Sequence, residues 1–216
     1  TLIYSLVFVS QWEYIGLWLK SLGLNKSPIS EQIPWVAYGA IDFIAKILTK
    51  ESKIFEYGSG GSTIYYSKIA KEVISIEHEK KWYDEVRKTI KSLGIKNCRY
   101  VYMKPNKAKD PLHDYYRSYR EQENSFEDYV KSISQYPNSH FDFVSVDGRA
   151  RVQCVREACE KIAPGGYIML DNSDRKDYFE AFLFLEQRGW KRQDFVGLVG
   201  FETVTCQTSI WQKPVQ

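Results

Sequence analysis

Lys53-Ile54-Phe55-Glu56-Tyr57-Gly58-Ser59-Gly60-Gly61-Ser62-Thr63 is the stretch on which the reading of this chain turns. A short apolar run ends in an acidic residue and breaks into glycines, and Thr63–Ala70 then has helical spacing. A strand that feeds a glycine turn and a helix opens a parallel α/β sheet. Three familiar uses of such a turn fail here. A dinucleotide fingerprint needs a third glycine where Thr63 stands. A Walker loop needs Gly-Lys-Ser/Thr, and no lysine follows the turn before Lys68. A nucleophile elbow fails because Ser62 precedes Thr63 and Ile64. What is left is Glu56 closing a strand into G-x-G-G, with Ser62 or Thr63 as the helix cap. Glycines at Gly58 and Gly60 let the backbone approach a ligand closely, although a tight turn needs no ligand. Glu77, nineteen residues after Gly58, closes the next apolar run where a carboxylate would bind both hydroxyls of a ribose.

Working outward, Val73–Glu77, Arg99–Met103, Phe141–Asp147 and Tyr167–Asp171 are further runs rich in Ile, Val, Tyr and Phe, as in strands buried on both faces. Between the runs lie amphipathic stretches over Lys80–Leu93, Asn124–Ser134, Arg151–Ile162 and Lys176–Gln187. This alternation predicts an open α/β sheet, mostly parallel, with helices on both faces. Arg192–Val199 and Glu202–Lys213 have only Gly200-Phe201 between them and predict a C-terminal antiparallel hairpin. Before the first strand, Trp12, Ile15, Leu19 and Leu22 have helical spacing, and Val36–Leu48 reads as a second helix. The expected organisation is an N-terminal helical cap over residues 1–50 and one α/β domain over residues 51–216.

Composition excludes several classes. The 216 residues include 16 Tyr and 6 Trp with 44% apolar residues, too many for a disordered chain. The formal charge of +3 gives no ground for a nucleic-acid or membrane-surface protein, so neither partner is expected. The positive excess is local, because residues 99–120 hold six Lys/Arg against two Asp/Glu. Cys98, Cys154, Cys159 and Cys206 form no CxxC pair and read as buried free thiols of a reducing compartment. Thr1–Val9 is apolar but too short to span a bilayer, and it lacks a basic lead-in. A cytoplasmic location is expected, and the apolar N-terminal helix offers a surface for a homodimer.

In a sheet of this type ligands bind beyond the carboxyl ends of the strands. Those ends carry Glu56, Glu77-His78, Asp147-Gly148-Arg149 and Asp171-Asn172-Ser173, and a carboxylate on a buried strand is costly unless it meets a ligand. In this order, Phe55–Thr63, Val73–His78, Asp142–Arg149 and Pro164–Asn172 resemble the motifs of class I S-adenosylmethionine-dependent methyltransferases. The resemblance covers residues 53–213 and includes that family's reversed last strand. It implies a Rossmann-like fold and S-adenosylmethionine as cofactor. It also implies that Glu56, Gly58, Ser59, Gly60, Ser62 and Thr63 serve the methionine end. Glu77 would take the ribose, His78 and Met103–Asn106 would border the adenine, and Asp147 would sit near the sulfonium. Met103-Lys104-Pro105-Asn106 departs from the family, since it lacks the Asp that many members carry there.

Methyl transfer needs alignment and exclusion of water, and for an oxygen nucleophile also a base. Asp147 and His78 are the candidate catalytic residues; His113 and His140 read as structural or exposed. Arg149, Arg151 and Asn172 are the candidate substrate residues, and their arginines point to an anionic small molecule such as a sugar derivative. Asp147, Asp171 and Asn172 also match the residue types with which catechol-type O-methyltransferases hold a divalent cation, although Asn172-Ser173-Asp174 reads equally as a helix cap. Lys104–Ser125 is expected to form a substrate lid, its Tyr115, Tyr116 and Tyr119 either stacking on an acceptor or packing. The rival expectation is a catalytically inactive domain that binds the cofactor as a scaffold.

Overall fold

The computed structural model describes residues 11–215, and Thr1–Val9 lies outside them. Seven strands form the main sheet, and their ranges follow the apolar runs. They are β1 (Lys53–Tyr57), β2 (Glu72–Glu77), β3 (Cys98–Tyr102), β7 (Phe141–Val146), β8 (Ile162–Asp171), β9 (Lys191–Leu198) and β10 (Thr205–Gln212). The order is β3-β2-β1-β7-β8-β10-β9. All pairs from β3 to β8 are parallel, whereas β10 is antiparallel to both β8 and β9. The parallel sheet and the reversed terminal hairpin are thus as expected.

Alternation along the strands sorts the core into two layers. On one face Phe55, Tyr57, Ile76, Val144 and Leu170 pack with Tyr129, Val155 and Leu185. These come from α6 (Glu127–Lys131), α7 (Arg151–Ala158) and α8 (Phe179–Glu186). On the other face Ile54, Val73, Phe143 and Met169 meet Ala40, Ile44 and Tyr66. Those belong to α3 (Tyr38–Ile47) and α4 (Gly61–Ile69), and α5 (Lys80–Ser92) extends the layer through Val86 and Ile90.

The N-terminal segment is divided in its role. Helix α3 belongs to the core layer. Helix α2 (Pro28–Glu31) joins that layer through Ile29, which packs with Ile64, Val86 and Ile90, whereas α1 (Trp12–Ser21) lies outside it, tied down by Trp18 Nε1 donating to Glu202 O. Residues 104–125, expected as a substrate lid, carry a second, small sheet. Its strands are β4 (Asn106–Lys107), β5 (Arg117–Ser118) and β6 (Glu121–Ser125), in the order β4-β6-β5. We call it the hood. Among the described residues no helix is long and apolar enough to cross a membrane. Cys154 and Cys159 are buried; Cys98 and Cys206 are partly exposed, and all four are free.

Candidate active site

Strands β1 and β7 are neighbours, with β2 and β3 on one side and β8, β10 and β9 on the other. That reversal opens a crevice at their carboxyl ends. The turns after the strands are locked together, because Gly58 N donates to Ile76 O at 3.0 Å and Asp147 N to Tyr57 O at 2.9 Å. Gly58 has φ +92°, and a Cβ there would lie 2.6 Å from Gly148 N, so both conformation and space demand glycine. The resulting cleft has a volume of about 440 Å³. Gly58, Ser59, Glu77, His78 and Asp147 all line it, as do Arg149, Asp171 and Asn172.

Glu77 is 2% exposed and its carboxylate is filled by donors of its own chain. Oε2 accepts from Ser59 N and Ser59 Oγ, both at 2.9 Å, and Oε1 from His78 N and Glu79 N at 2.8 Å. Burial pushes its pKa up, but His78 and these backbone donors outweigh burial and hold it below the ordinary carboxylate range. It is therefore a fixed negative charge on the cleft wall. The Ser59 hydroxyl occupies one of the places that a ligand hydroxyl would take. Trp82 Nε1 donates to Ser59 O at 2.5 Å, and Trp82 and Trp35 line the cleft as well. A cleft with two tryptophans in its wall, an anchored carboxylate, an aspartate and a glycine floor fits an adenosyl cofactor that carries a sulfonium charge.

Several of the expected residues do not line the cleft. Glu56 is fully buried beneath the turn and faces α4. Its Oε2 accepts from Thr63 Oγ1 and Ser75 Oγ at 2.5 Å, while Thr63 Oγ1 also accepts from Gly60 N at 3.0 Å. Glu56 and Thr63 thus brace the turn from behind, and neither they nor Gly60 and Ser62 line the cleft. The reason is its place along the strand: Glu56 lies one residue short of the end of β1, level with Ser75 rather than Glu77, on the Ile54 face that helices cover. Met103–Asn106 do not reach the cleft either, since Met103 packs into the core and Asn106 Nδ2 donates to Asp128 Oδ2.

Arg151 is corrected too. It is 6% exposed, and its guanidinium donates to Gly148 O, Asp171 O and Asp147 O and pairs with Asp147 Oδ1 at 2.7 Å. It reaches the cleft as a strut that joins the ends of β7 and β8, not as a free substrate ligand. The turns it supports are sharp, with left-handed φ of +48° at both Ala150 and Asn172. Asp147 keeps 34% of its side chain exposed to the cleft. Asp171 is buried, and burial followed by the neighbouring Asp147 charge pushes its pKa up to about 7. Its Oδ1 accepts from Thr208 Oγ1 at 2.7 Å. Asp147, Asp171 and Asn172 therefore do not fit a divalent cation. One carboxylate is neutralised by Arg151 and the other is tied to Thr208. Among the described residues no group of three His, Cys, Asp or Glu is arranged to hold a metal.

His78 is bracketed by carboxylates. Nδ1 lies 2.9 Å from Glu77 Oε1 without hydrogen-bond alignment, and Nε2 lies 3.4 Å from Glu121 Oε1 of the hood. The same Glu121 oxygen accepts from Arg149 Nε at 2.9 Å. Beyond Arg149 a second cavity of about 760 Å³ opens between the hood, α7 and the loop before α8. Gly148, Arg149, Arg151, Arg120 and Arg175 line both cavities, so the two rooms meet at the turn after β7. Trp35, Trp82 and Glu121 escaped the sequence reading. Trp82 carried a signal, since it opens an amphipathic helix five residues after Glu77; Trp35 sits in an aperiodic loop and carried none.

No family model matches the sequence, and no curated relative matches it. Solved structures do resemble its fold. An rRNA methylase from Streptococcus thermophilus is 14% identical with a TM-score of 0.56, over 90% of this chain and 100% of its own. A Streptococcus mutans protein described as a methyltransferase and solved with SAH is also 14% identical, with a TM-score of 0.53 over 79% of this chain and 94% of its own. A precorrin 8w decarboxylase from Methanobacterium thermoautotrophicum is 15% identical, with a TM-score of 0.56 over 81% and 88%. One fold thus carries different reactions. With β1, β7 and the reversed hairpin in these positions, the chain has the Rossmann-like fold of class I S-adenosylmethionine-dependent methyltransferases.

Proposed function

We propose that this chain is a methyltransferase that moves a methyl group from S-adenosylmethionine to an oxygen of a small anionic acceptor. The observation that carries the reading is Glu77, a buried and ionised carboxylate at the end of β2, facing the cleft that Asp147 closes from β7. The cofactor supplies an already activated methyl on a sulfonium. The chain supplies placement. Glu77 and Ser59 hold ribose hydroxyls, Trp35 and Trp82 exclude water, and Gly58 and Gly148 keep the floor clear. Asp147 takes the proton of the acceptor hydroxyl, and His78, held between Glu77 and Glu121, orients the acceptor side of the cleft. Arg149 attracts an anion.

Isothermal calorimetry with S-adenosylhomocysteine tests this reading. Micromolar or tighter binding is expected, weakened at least tenfold in both Glu77→Ala and Glu77→Gln. Binding of NAD in place of S-adenosylhomocysteine would overturn the reading. An unchanged affinity in both variants would remove Glu77 from the site.

A further inference from the structure

The second cavity gathers more positive than negative side chains. Arg120, Arg175 and Lys176 line it, and among the described residues none of the three makes an ion pair. Glu180, one of its two acidic lining residues, is turned to Arg156 at 3.4 Å. Arg149 is paired, but its partner is Glu121, a carboxylate of the hood that occupies one edge of its guanidinium. The lining thus holds Arg117, Arg120, Arg149, Arg151, Arg175 and Lys176 against only Asp177 and Glu180, so the space stays positive and attracts anions. On the same lining stand Tyr119 and Phe179, 72% and 62% exposed, which offer flat apolar surface beside the charge.

We propose that this cavity binds the diphosphate group of a small phosphorylated acceptor, held by Arg120, Arg175 and Lys176, with Glu121 marking where a further anionic oxygen meets Arg149. A carboxylate would neutralise one of these cations and a diphosphate answers all three, with oxygens on both phosphorus atoms matched to arginine forks. The rest of the acceptor lies toward Gly148 and Asp147, where the two cavities meet. A long polynucleotide is disfavoured, because outside residues 99–120 the chain sums to a slightly negative charge. The inference rests on the methyl-transfer reading for its reaction, while its ligand can be tested independently.

Calorimetry at about 150 mM ionic strength would use inorganic pyrophosphate, inorganic phosphate and S-adenosylhomocysteine as separate probes. Pyrophosphate is expected to bind at least tenfold more tightly than phosphate. The Arg120→Ala/Lys176→Ala variant, changed only at exposed positions, should lose at least tenfold in pyrophosphate affinity while its melting temperature stays within about 2 °C. Equal affinities for phosphate and pyrophosphate, or a variant that binds like the parent, would overturn the assignment. If S-adenosylhomocysteine binds and pyrophosphate does not, the diphosphate site alone fails. If only pyrophosphate binds, the methyl-transfer reading fails and the cavity assignment stands. A twelve-nucleotide single-stranded RNA that binds more tightly than pyrophosphate, and loses affinity in the same variant, would give the cavity to a polynucleotide and overturn the proposal.

Discussion

Two glutamates at adjacent strand ends show how environment divides like residues. Glu77 faces the cleft with four donors and stays ionised, whereas Glu56 faces the helices with two hydroxyl donors on one oxygen and no partner on the other. Burial pushes the pKa of Glu56 from 4.5 to about 7, against the pull of its serine and threonine neighbours. An acid whose folded value is raised contributes stability that is complete below its unfolded value and is lost as pH rises through its folded value. Glu56 and Asp171, both raised to about 7, therefore make the protein less stable at pH 8.5 than at pH 5.5. Glu77, held low, acts in the opposite sense and loses its contribution only in more acidic solution. Glu56→Gln keeps an acceptor for Thr63 and Ser75 but cannot ionise. In that variant the melting-temperature difference between pH 5.5 and pH 8.5 should shrink by about 3 °C or more. An unchanged difference would mean that Glu56 carries no extra proton in the fold.

At the scale of elements, the first residue of α4 shows how the N-terminal segment is anchored. A Cβ on Gly61 would lie 2.0 Å from Pro28 O and 2.3 Å from Ile33 O, so α2 rests directly on the backbone at the start of α4. Both contacts are main chain and cannot swing aside. Gly61→Ala should cost about 1–3 kcal/mol in urea unfolding, despite the better helix propensity of alanine. A neutral or stabilising effect would show that α2 is not seated there. This contact also marks the limit of what the sequence made legible. Strands and helices could be read, because apolar run length and 3.6-residue spacing are local signals, and β1, β2, β7 and β8 fall where such runs stand. Depth at a strand end was not, since a place one residue short of the end of β1 leaves Glu56 level with Ser75 beneath the helices. The charge of Arg151 beside Asp147 suggested a substrate ligand, yet the left-handed Ala150 turns α7 back so that Arg151 reaches the strand-end carbonyls. The hood was hidden for another reason. Glu121–Ser125 pairs with its neighbours without any apolar alternation, so nothing in its composition announces a strand.

At the scale of the molecule, the cleft draws on distant parts of the chain. Trp35 comes from the N-terminal segment, Glu77 and Asp147 from the central strands, and Val199, Glu202 and Cys206 from the hairpin region. A ligand in it should therefore stabilise the whole fold as one cooperative unit. Because unfolding scatters these residues, S-adenosylhomocysteine should bind the native state alone. At a hundred times its Kd it would then add about 2.7 kcal/mol. For a chain of 216 residues that corresponds to a rise in melting temperature of about 5–10 °C, with the transition remaining single. Trp82→Ala, which removes a cleft wall and the hydrogen bond to Ser59 O, should reduce the rise at the same ligand concentration to less than half. A ligand-induced second transition would mean that the cleft stabilises only part of the chain. A full rise in Trp82→Ala would place the ligand away from the wall that Trp82 forms.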